Sequence, residues 1–562
     1  MNPDTTYDLE SVQLPYLAGA ALKALIAILE GPLGGILLPN LLQSAGVTPL
    51  RRRHFEETPT YTPLHFTNDA SVFAAASVPE AEWPLTVGSG PGFRFAGAGD
   101  YVAAYRHGNT SPEDVAQKLL AAIEASDTHQ PPLRAFIKVI PEDLLRLAQA
   151  SAQRYQEGRT LGPLDGVPVA VKDEIDMTPY PTTVGTAFLG QLPVTQDATV
   201  VARLRAAGAL LLGKTNMHEI GIGVTGLNPH HGTPRNPYHP AHYTGGSSSG
   251  SAAAVAAGLC PLAVGADGGG SIRIPAAFCG IVGLKPTYGR ISEFGAAPLD
   301  WSIAHIGPLA ANVADVALGY AAMSGSDPQD TTSLHQPQPT LKGWNNTNIQ
   351  GLRIGVFWPW FRHASTEVVT ICETLLHKFV EVGAHLHEVV IPDLEAGRVA
   401  HVITIAGEMA QAMDAYHAEH HTEHGLDVRL NLTLARAFTL LDYVKAQRVR
   451  TRLIAHFLRV FETVDVLVMP TTGLVAPVIP PRALPYGDSD LTILTEIMRF
   501  ATPANLTGLP AIAFPAGYTP QGLPVGLQAI ARPWDEVTLL RLALAAEGLV
   551  ERHTPQVYYK IL

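Results

Sequence analysis

Cysteine is scarce in this chain: three residues in 562, at Cys260, Cys279 and Cys372, with no paired spacing. That excludes a disulfide framework and a cysteine zinc site, and it is the usage expected of a reducing, cytoplasmic compartment. Basic runs are as short as Arg51-Arg52-Arg53 and the formal net charge is −12, so a nucleic-acid partner has no electrostatic support. No GK[ST] loop and no strand–GxGxxG–helix unit is present, which removes the common nucleotide-binding classes. His-Glu-x-x-His is missing too. No internal repeat or low-complexity tract interrupts the chain. No apolar run reaches the ~20 residues of a membrane-spanning helix. Residues 14–29 are apolar apart from Lys23, Glu30-Gly31-Pro32 breaks the run, and residues 33–42 resume it. Asp4, Asp8 and Glu10 precede that run without a basic region, so no secretory signal is expected.

What the chain has is length for a large core, few charges and many apolar residues. One stretch organises the rest, residues 245–287, GGSSSGSAAAVAAGLCPLAVGADGGGSIRIPAAFCGIVGLKPT. Two glycine-serine loops flank a predicted helix over 252–258 and a short buried strand over 261–265. Gly268-Gly269-Gly270 is a run without side chains set directly before Ser271. Successive N–H groups in such a turn converge on one point, where the oxyanion of a tetrahedral intermediate sits. A serine that closes the turn is placed to attack the carbonyl, provided a base activates it. Gly246-Ser247-Ser248-Ser249-Gly250 also spells the G-x-S-x-G elbow and points to Ser248 instead. That elbow needs a buried strand upstream, whereas residues 236–243 carry two prolines and read as loop.

Two lysines compete for the base. Residues 164–172 form a glycine-proline turn that feeds an apolar strand ending on Lys172. A strand-end lysine by itself reads as an exposed charge; burial would instead favour the neutral amine. Asp173, Glu174 and Asp176 follow at once and oppose that. Lys214 lies in Gly213-Lys214-Thr215-Asn216, read as a loop after a strand over 209–212, and ranks below Lys172.

Residues 245–287 closely resemble the signature of the amidase-signature family of serine hydrolases. The resemblance implies a Ser–Ser–Lys triad: Ser271 as nucleophile, Ser247 as the bridging serine in a cis peptide, and Lys172 in its Val171-Lys172-Asp173 setting as base. It implies that backbone N–H groups of Gly268, Gly269, Gly270 and Ser271 hold the oxyanion. It also places Gly221, Ile222, Gly223 and Val224 beside the acyl or leaving group, and makes Ser248 and Ser249 supporting donors. Ala266 departs from the threonine that many members carry, a change expected to affect packing only. No metal and no cofactor is implied. The implied fold is α/β: a single large domain over residues 100–562 with a twisted mixed sheet of about eleven strands covered by helices. Residues 1–99 form an N-terminal extension, a helical pair followed by an extended strap over 56–99. That extension, with residues 51–63 and 214–226, is most like the plant-type fatty acid amide hydrolases. The function implied is hydrolysis of fatty acid amides, N-acylethanolamines above all, with a lipid amide substrate and a homodimeric state. Two alternatives stay open: an amidase for small, peptide or aryl amides or one component of an amidotransferase, and an inactive lipid-binding scaffold on the same fold.

Elsewhere Ser111-Pro112-Glu113-Asp114 predicts a capped helix start. Helices are expected over 141–157, 197–207, 366–382, 394–414 and 536–547, and strands over 352–358, 384–391 and 464–470. His417, His420, His421 and His424 are spaced as on one helical face, but their interleaved glutamates suit a solvated helix better than a metal site. The apolar residues Leu14, Leu17, Ala21, Leu25, Ile28 and Leu29 are expected on one face of the first helix, continued by Leu33, Ile36, Leu37, Leu38, Leu41 and Leu42. Such a face is buried against protein or against lipid, so peripheral membrane contact through residues 14–42 stands beside packing on a partner.

Overall fold

Short apolar runs dominate the centre of the molecule, and they pair into one sheet. The computed structural model describes residues 6–12, 14–66, 77–84 and 90–562. Its main sheet has eleven strands: β1 (Phe136–Lys138), β2 (Pro168–Lys172), β3 (Leu210–Thr215), β4 (Leu262–Ala266), β5 (Val282–Lys285), β6 (Ile306–Ala310), β7 (Arg353–Val356), β8 (His385–Glu388), β9 (Val466–Pro470), β10 (Ala511–Tyr518) and β11 (Pro524–Ala531). Their spatial order is β8-β7-β9-β11-β10-β5-β6-β4-β2-β3-β1. The sheet is mixed: β8, β7 and β9 are parallel, as are β4, β2 and β3, and antiparallel pairs join the two sets.

Burial explains why the central strands are continuous apolar runs rather than alternating ones. Every residue of β2, β3, β4 and β9 is buried, because helices cover both faces of the sheet. The edge strand β8, His-Leu-His-Glu, is the polar exception and leaves no apolar edge for another chain to pair with. The capped helix start is present: Ser111 Oγ accepts from the Asp114 N–H at 3.1 Å, and the helix runs Pro112–Thr128.

Several boundaries differ from expectation for physical reasons. Gly213-Lys214-Thr215 belongs to β3, because pairing with β1 and β2 continues through it. Residues 236–243 are not wholly loop: Arg235–Asn236 and His239–Tyr243 pair as a small antiparallel ribbon outside the main sheet. The N-terminal pair forms helices Gly19–Glu30 and Gly34–Ser44, bent 110° apart, and a third short helix, Val47–Arg52, follows. Its apolar residues do not share one face. Leu22, Ile26 and Leu29 turn inward, while Ile28, Leu33 and Ile36 are exposed. No single described helix is long and apolar enough to cross a membrane. Of the expected strap, residues 67–76 and 85–89 lie outside the described residues; residues 58–61 run along the helix Leu440–Val460, whose Thr451 and Arg450 donate to the carbonyls of Thr58 and Tyr61.

Candidate active site

The carboxyl ends of β2 and β4 are neighbours in register, and both chains leave the sheet there. Ligands gather at such strand ends because loops, not sheet bonds, occupy the space beyond them. β2 delivers Lys172. β4 ends at Ala266 and turns through Asp267 and the three glycines to Ser271, which leads into the helix Arg273–Phe278. Ser247 arrives from the loop before the helix Ser249–Ala256, which runs back toward β4. Lys172, Ser247 and Ser271 line one narrow cleft.

Lys172 is 1 % exposed. Its Nζ donates to Ser247 Oγ at 2.8 Å and to the Ala266 carbonyl at 3.3 Å, and it lies 3.2 Å from Glu174 Oε1. Ser247 is held through its backbone: its carbonyl accepts from the His218 N–H at 3.1 Å and from the Ser249 N–H at 2.8 Å. The Gly246–Ser247 peptide is cis. Ser271 is 5 % exposed, and its carbonyl accepts from the Ser248 N–H at 3.2 Å. The Ser248 hydroxyl donates to the Ala266 carbonyl and accepts from the Ala266 N–H, which ties the serine loop to β4 outside the cleft. Ala266 therefore contributes through its main chain, and Ser249 Oγ donates to the Asn216 carbonyl.

Lys214 does not precede a loop; it ends inside the core. It is fully buried and donates to the Ile175 carbonyl at 2.7 Å and to Thr182 Oγ1 at 2.9 Å, away from both serines.

The glycine turn is fixed from three sides. Asp267 accepts from the Gly270 N–H at 2.6 Å and the Ile272 N–H at 3.1 Å, so the Gly270 N–H is spent inside the loop. The N–H groups of Gly269 and Ser271 have no acceptor among the described residues. Arg273 clamps Asp267 with two contacts of 3.0 Å and reaches Asn505 Oδ1 at 2.6 Å and Gln528. Despite its burial, the Arg273 guanidinium and the Asn505 amide hold the Asp267 carboxyl well below the usual carboxylate range. From the third side, His401 Nε2 is 2.8 Å from the Gly268 carbonyl oxygen. Burial pushes this imidazole down to about 4, so it is neutral and donates its proton to that carbonyl. In a trans peptide N–H and C=O point in opposite directions, so turning the Gly268 carbonyl toward His401 aims the Gly269 N–H away from it. Glycine is required here by contact: a Cβ at Gly268 would lie 1.8 Å from Asp300 Oδ2, and one at Gly269 would lie 2.9 Å from His401 Cε1.

Of the four residues 221–224, only Gly221 joins the cleft. Its φ is +72°, and a Cβ there would be 3.6 Å from Ser247 Oγ. Ile222 packs with Met217, Ile220 and Leu299, and Val224 with Ile274 and Phe278. Gly223 lies flat against the His218 ring. The histidine group does not form one face either: the helix Asp414–His420 stops within it. His420 turns to Glu423, and His424 is buried against Glu219 Oε1 at 2.6 Å. Among the described residues no group of three His, Cys, Asp or Glu is arranged to hold a metal ion.

The walls of the cleft have opposite character. Leu299 and Met409 belong to an apolar cluster with Met217 and Ile220, and a second cluster around Ile274 and Met498 abuts the glycine turn. Glu174, Glu293 and Asp300 line the remainder. The sequence points to none of His401, Glu293 and Asp300, since each comes from a segment without a motif. The Asp267–Arg273 pair is legible in principle, as opposite charges six positions apart in a loop otherwise without charge.

The family model described as Amidase matches residues 117–540. The chain belongs to the amidase family. This amidase-signature hydrolase is 40% identical over 588 residues to a fatty acid amide hydrolase of Oryza sativa subsp. indica, a match that spans 99% of this chain and 96% of the relative. A glutamyl-tRNA(Gln) amidotransferase component of Chloroflexus aurantiacus is 37% identical over 476 residues, 80% of this amidase and 96% of the relative. Among solved structures, the native peptide amidase from Stenotrophomonas maltophilia superposes with a TM-score of 0.70 at 30% identity, covering 82% of this amidase and 98% of that chain.

Proposed function

We propose that this amidase hydrolyses fatty acid amides, N-acylethanolamines among them, to free fatty acid and amine through an acyl-enzyme on Ser271. One contact carries the mechanism: Lys172 Nζ reaches Ser247 Oγ at 2.8 Å inside the cleft that Ser271 also lines. Ser271 Oγ attacks the amide carbonyl carbon, and its proton passes to Ser247 while the Ser247 proton passes to the neutral amine of Lys172. The Gly269 and Ser271 N–H groups receive the oxyanion. Collapse breaks the C–N bond as Ser247 returns a proton to the leaving nitrogen and recovers one from Lys172. Water then attacks the ester by the reverse relay and releases the acid.

Three observations favour long acyl groups over small, peptide or aryl amides and over an amidotransferase role. The cleft is flanked by methionines, which repack around chains of different shape. The match to the plant enzyme takes in the N-terminal helices, whereas the amidotransferase match stops at 80% of the chain. Those helices also connect to the cleft: Leu22 and Ile26 pack on Leu426, and the same helix, Leu426–Ala435, sends Val428 and Leu432 into the Leu299–Met409 cluster. A scaffold without activity has no use for a buried lysine–serine contact in the same cleft as Ser271. The proposal extends to place and assembly: a cytoplasmic homodimer with peripheral membrane contact through residues 14–42, where Ile28, Leu33 and Ile36 are exposed. The test is turnover across acyl amides of graded chain length beside peptide and aryl amides. A steady rise in kcat/KM with chain length supports the reading, and a preference for the peptide or aryl amides overturns it.

A further inference from the structure

The cleft does not end at the triad. Glu293, Ala297, Leu299, Asp300 and Ala304 line both it and a second cavity of about 280 Å³, which opens beside Phe294 and Trp301. Trp301 is 41 % exposed and marks the mouth.

Five carboxyls line the cleft and the cavity, Glu174, Asp267, Glu293, Asp300 and Asp330, and the Lys172 amine lies 3.2 Å from the first of them. Asp300 is 6 % exposed, and neither of its side-chain oxygens has a hydrogen-bond partner among the described residues. The Glu293 side chain has none either. Asp300 is thus a buried acid without a partner and Glu293 a half-buried one, and proteins keep such costly groups where something else completes them. Burial, with Glu174 and Glu408 nearby, pushes Asp300 well above the usual carboxylate range. Burial and the neighbouring Asp330 and Asp300 do the same to Glu293. Of the other titratable groups along it, Lys172 is engaged with Ser247, Asp267 with Arg273, and Asp330 with the Glu293 N–H and the Thr332 hydroxyl.

The ligand that completes them follows from their spread. No described group of three acids or histidines is focused enough to hold a metal ion. Carboxyls strung along a passage with Phe294 and Trp301 at its mouth suit an extended organic cation, which gains from the aromatic faces as well as the charges. The opposite walls are apolar and suit an acyl chain.

We propose that the passage from Ser271 to Trp301 is the amine-side subsite and that it takes fatty acyl conjugates of diamines or polyamines, whose leaving amine carries a second, positively charged nitrogen. This rests on the amide-hydrolase reading and names its substrate class more narrowly. The ammonium enters from the Trp301 side, and its charge favours the ionised form of Glu293 and Asp300.

The experiment compares kcat/KM of the full-length protein for three lauroyl amides: of diaminobutane, of pentylamine as its uncharged counterpart, and of ethanolamine. The diaminobutane conjugate should be favoured over the pentylamide by roughly tenfold or more, the value of one hydrogen bond to a charged group. Asp300→Asn and Glu293→Gln should each shrink that ratio several-fold, read within each variant so that a general loss of activity cancels. Free diaminobutane should inhibit pentylamide cleavage by the unaltered protein, and butanediol should not, which keeps the idea testable if a variant fails to fold. Cleavage of the neutral amides with no preference for the cation, or a preference that survives both substitutions, overturns the subsite alone. No cleavage of any of the three amides overturns the parent reading.

Discussion

Lys172→Met separates the chemistry of the site from its stability. Methionine keeps most of the volume of a side chain that is 1 % exposed, so packing in β2 is little disturbed. What is lost is the amine, with its contacts to Ser247 at 2.8 Å, Ala266 at 3.3 Å and Glu174 at 3.2 Å. Removing a general base lowers the rate by ~10²–10⁴-fold, so kcat/KM on a short, water-soluble amide should fall within that range. Stability responds separately. The Glu174 side chain is 8 % exposed, and breaking a buried pair leaves a charge without compensation. The cost is ~1–3 kcal/mol for a buried charged acceptor that loses its donor, toward the lower end here because Glu174 faces a cavity. Adding Glu174→Gln removes the stranded charge, so urea denaturation of the double variant should recover most of that loss while its activity stays low. A rate loss within about threefold for Lys172→Met would take Lys172 out of the mechanism. Recovery of activity in the double variant would show that the single change acted through folding.

Other expectations rest on separate features. His401 is held near 4 by burial against an ordinary value of 6.5, so the unfolded chain binds more protons between these values and stability falls as pH drops through that window. His401→Gln should cancel about 2 kcal/mol of the stability difference between pH 7 and pH 5, and an unchanged difference would mean that the ring is not neutral in the fold. Deleting residues 1–46 removes the helix that packs on Leu426–Ala435 and should slow long-chain amides much more than short ones. Equal losses for both, with the mass in solution unchanged, would leave the lipid-facing role without support.

The proposed triad is legible because its parts sit in local patterns. Glycine runs before Ser271 and the serine loop at Ser247 are contiguous in sequence, and residues 164–172 read as a strand with a lysine at its end. The class of the fold follows from the alternation of strands and helices together with the family resemblance. What stays hidden depends on distant segments meeting. His401 comes from the middle of an ordinary helix, and its role exists only because that helix crosses the glycine turn. Asn505 and Gln528 come from segments far apart in sequence, and their common partner, Arg273, is visible only in three dimensions. Lys214 is hard to place from sequence because Gly213 reads as a break, whereas β1 and β2 resume pairing beyond it at Lys214 and Thr215. The N-terminal helix reads as having one apolar face, but a chain that is apolar on nearly every side carries no periodic signal to say which residues turn inward.

The central claim is that Ser271 is the nucleophile, set between a glycine turn and a serine–lysine relay. The direct measurement is mass spectrometry of the protein after reaction with a fluorophosphonate, beside the Ser271→Ala variant. A single adduct on Ser271, with labelling and turnover both abolished in Ser271→Ala, is the predicted result. An adduct on Ser248, or turnover that persists in Ser271→Ala, would contradict it.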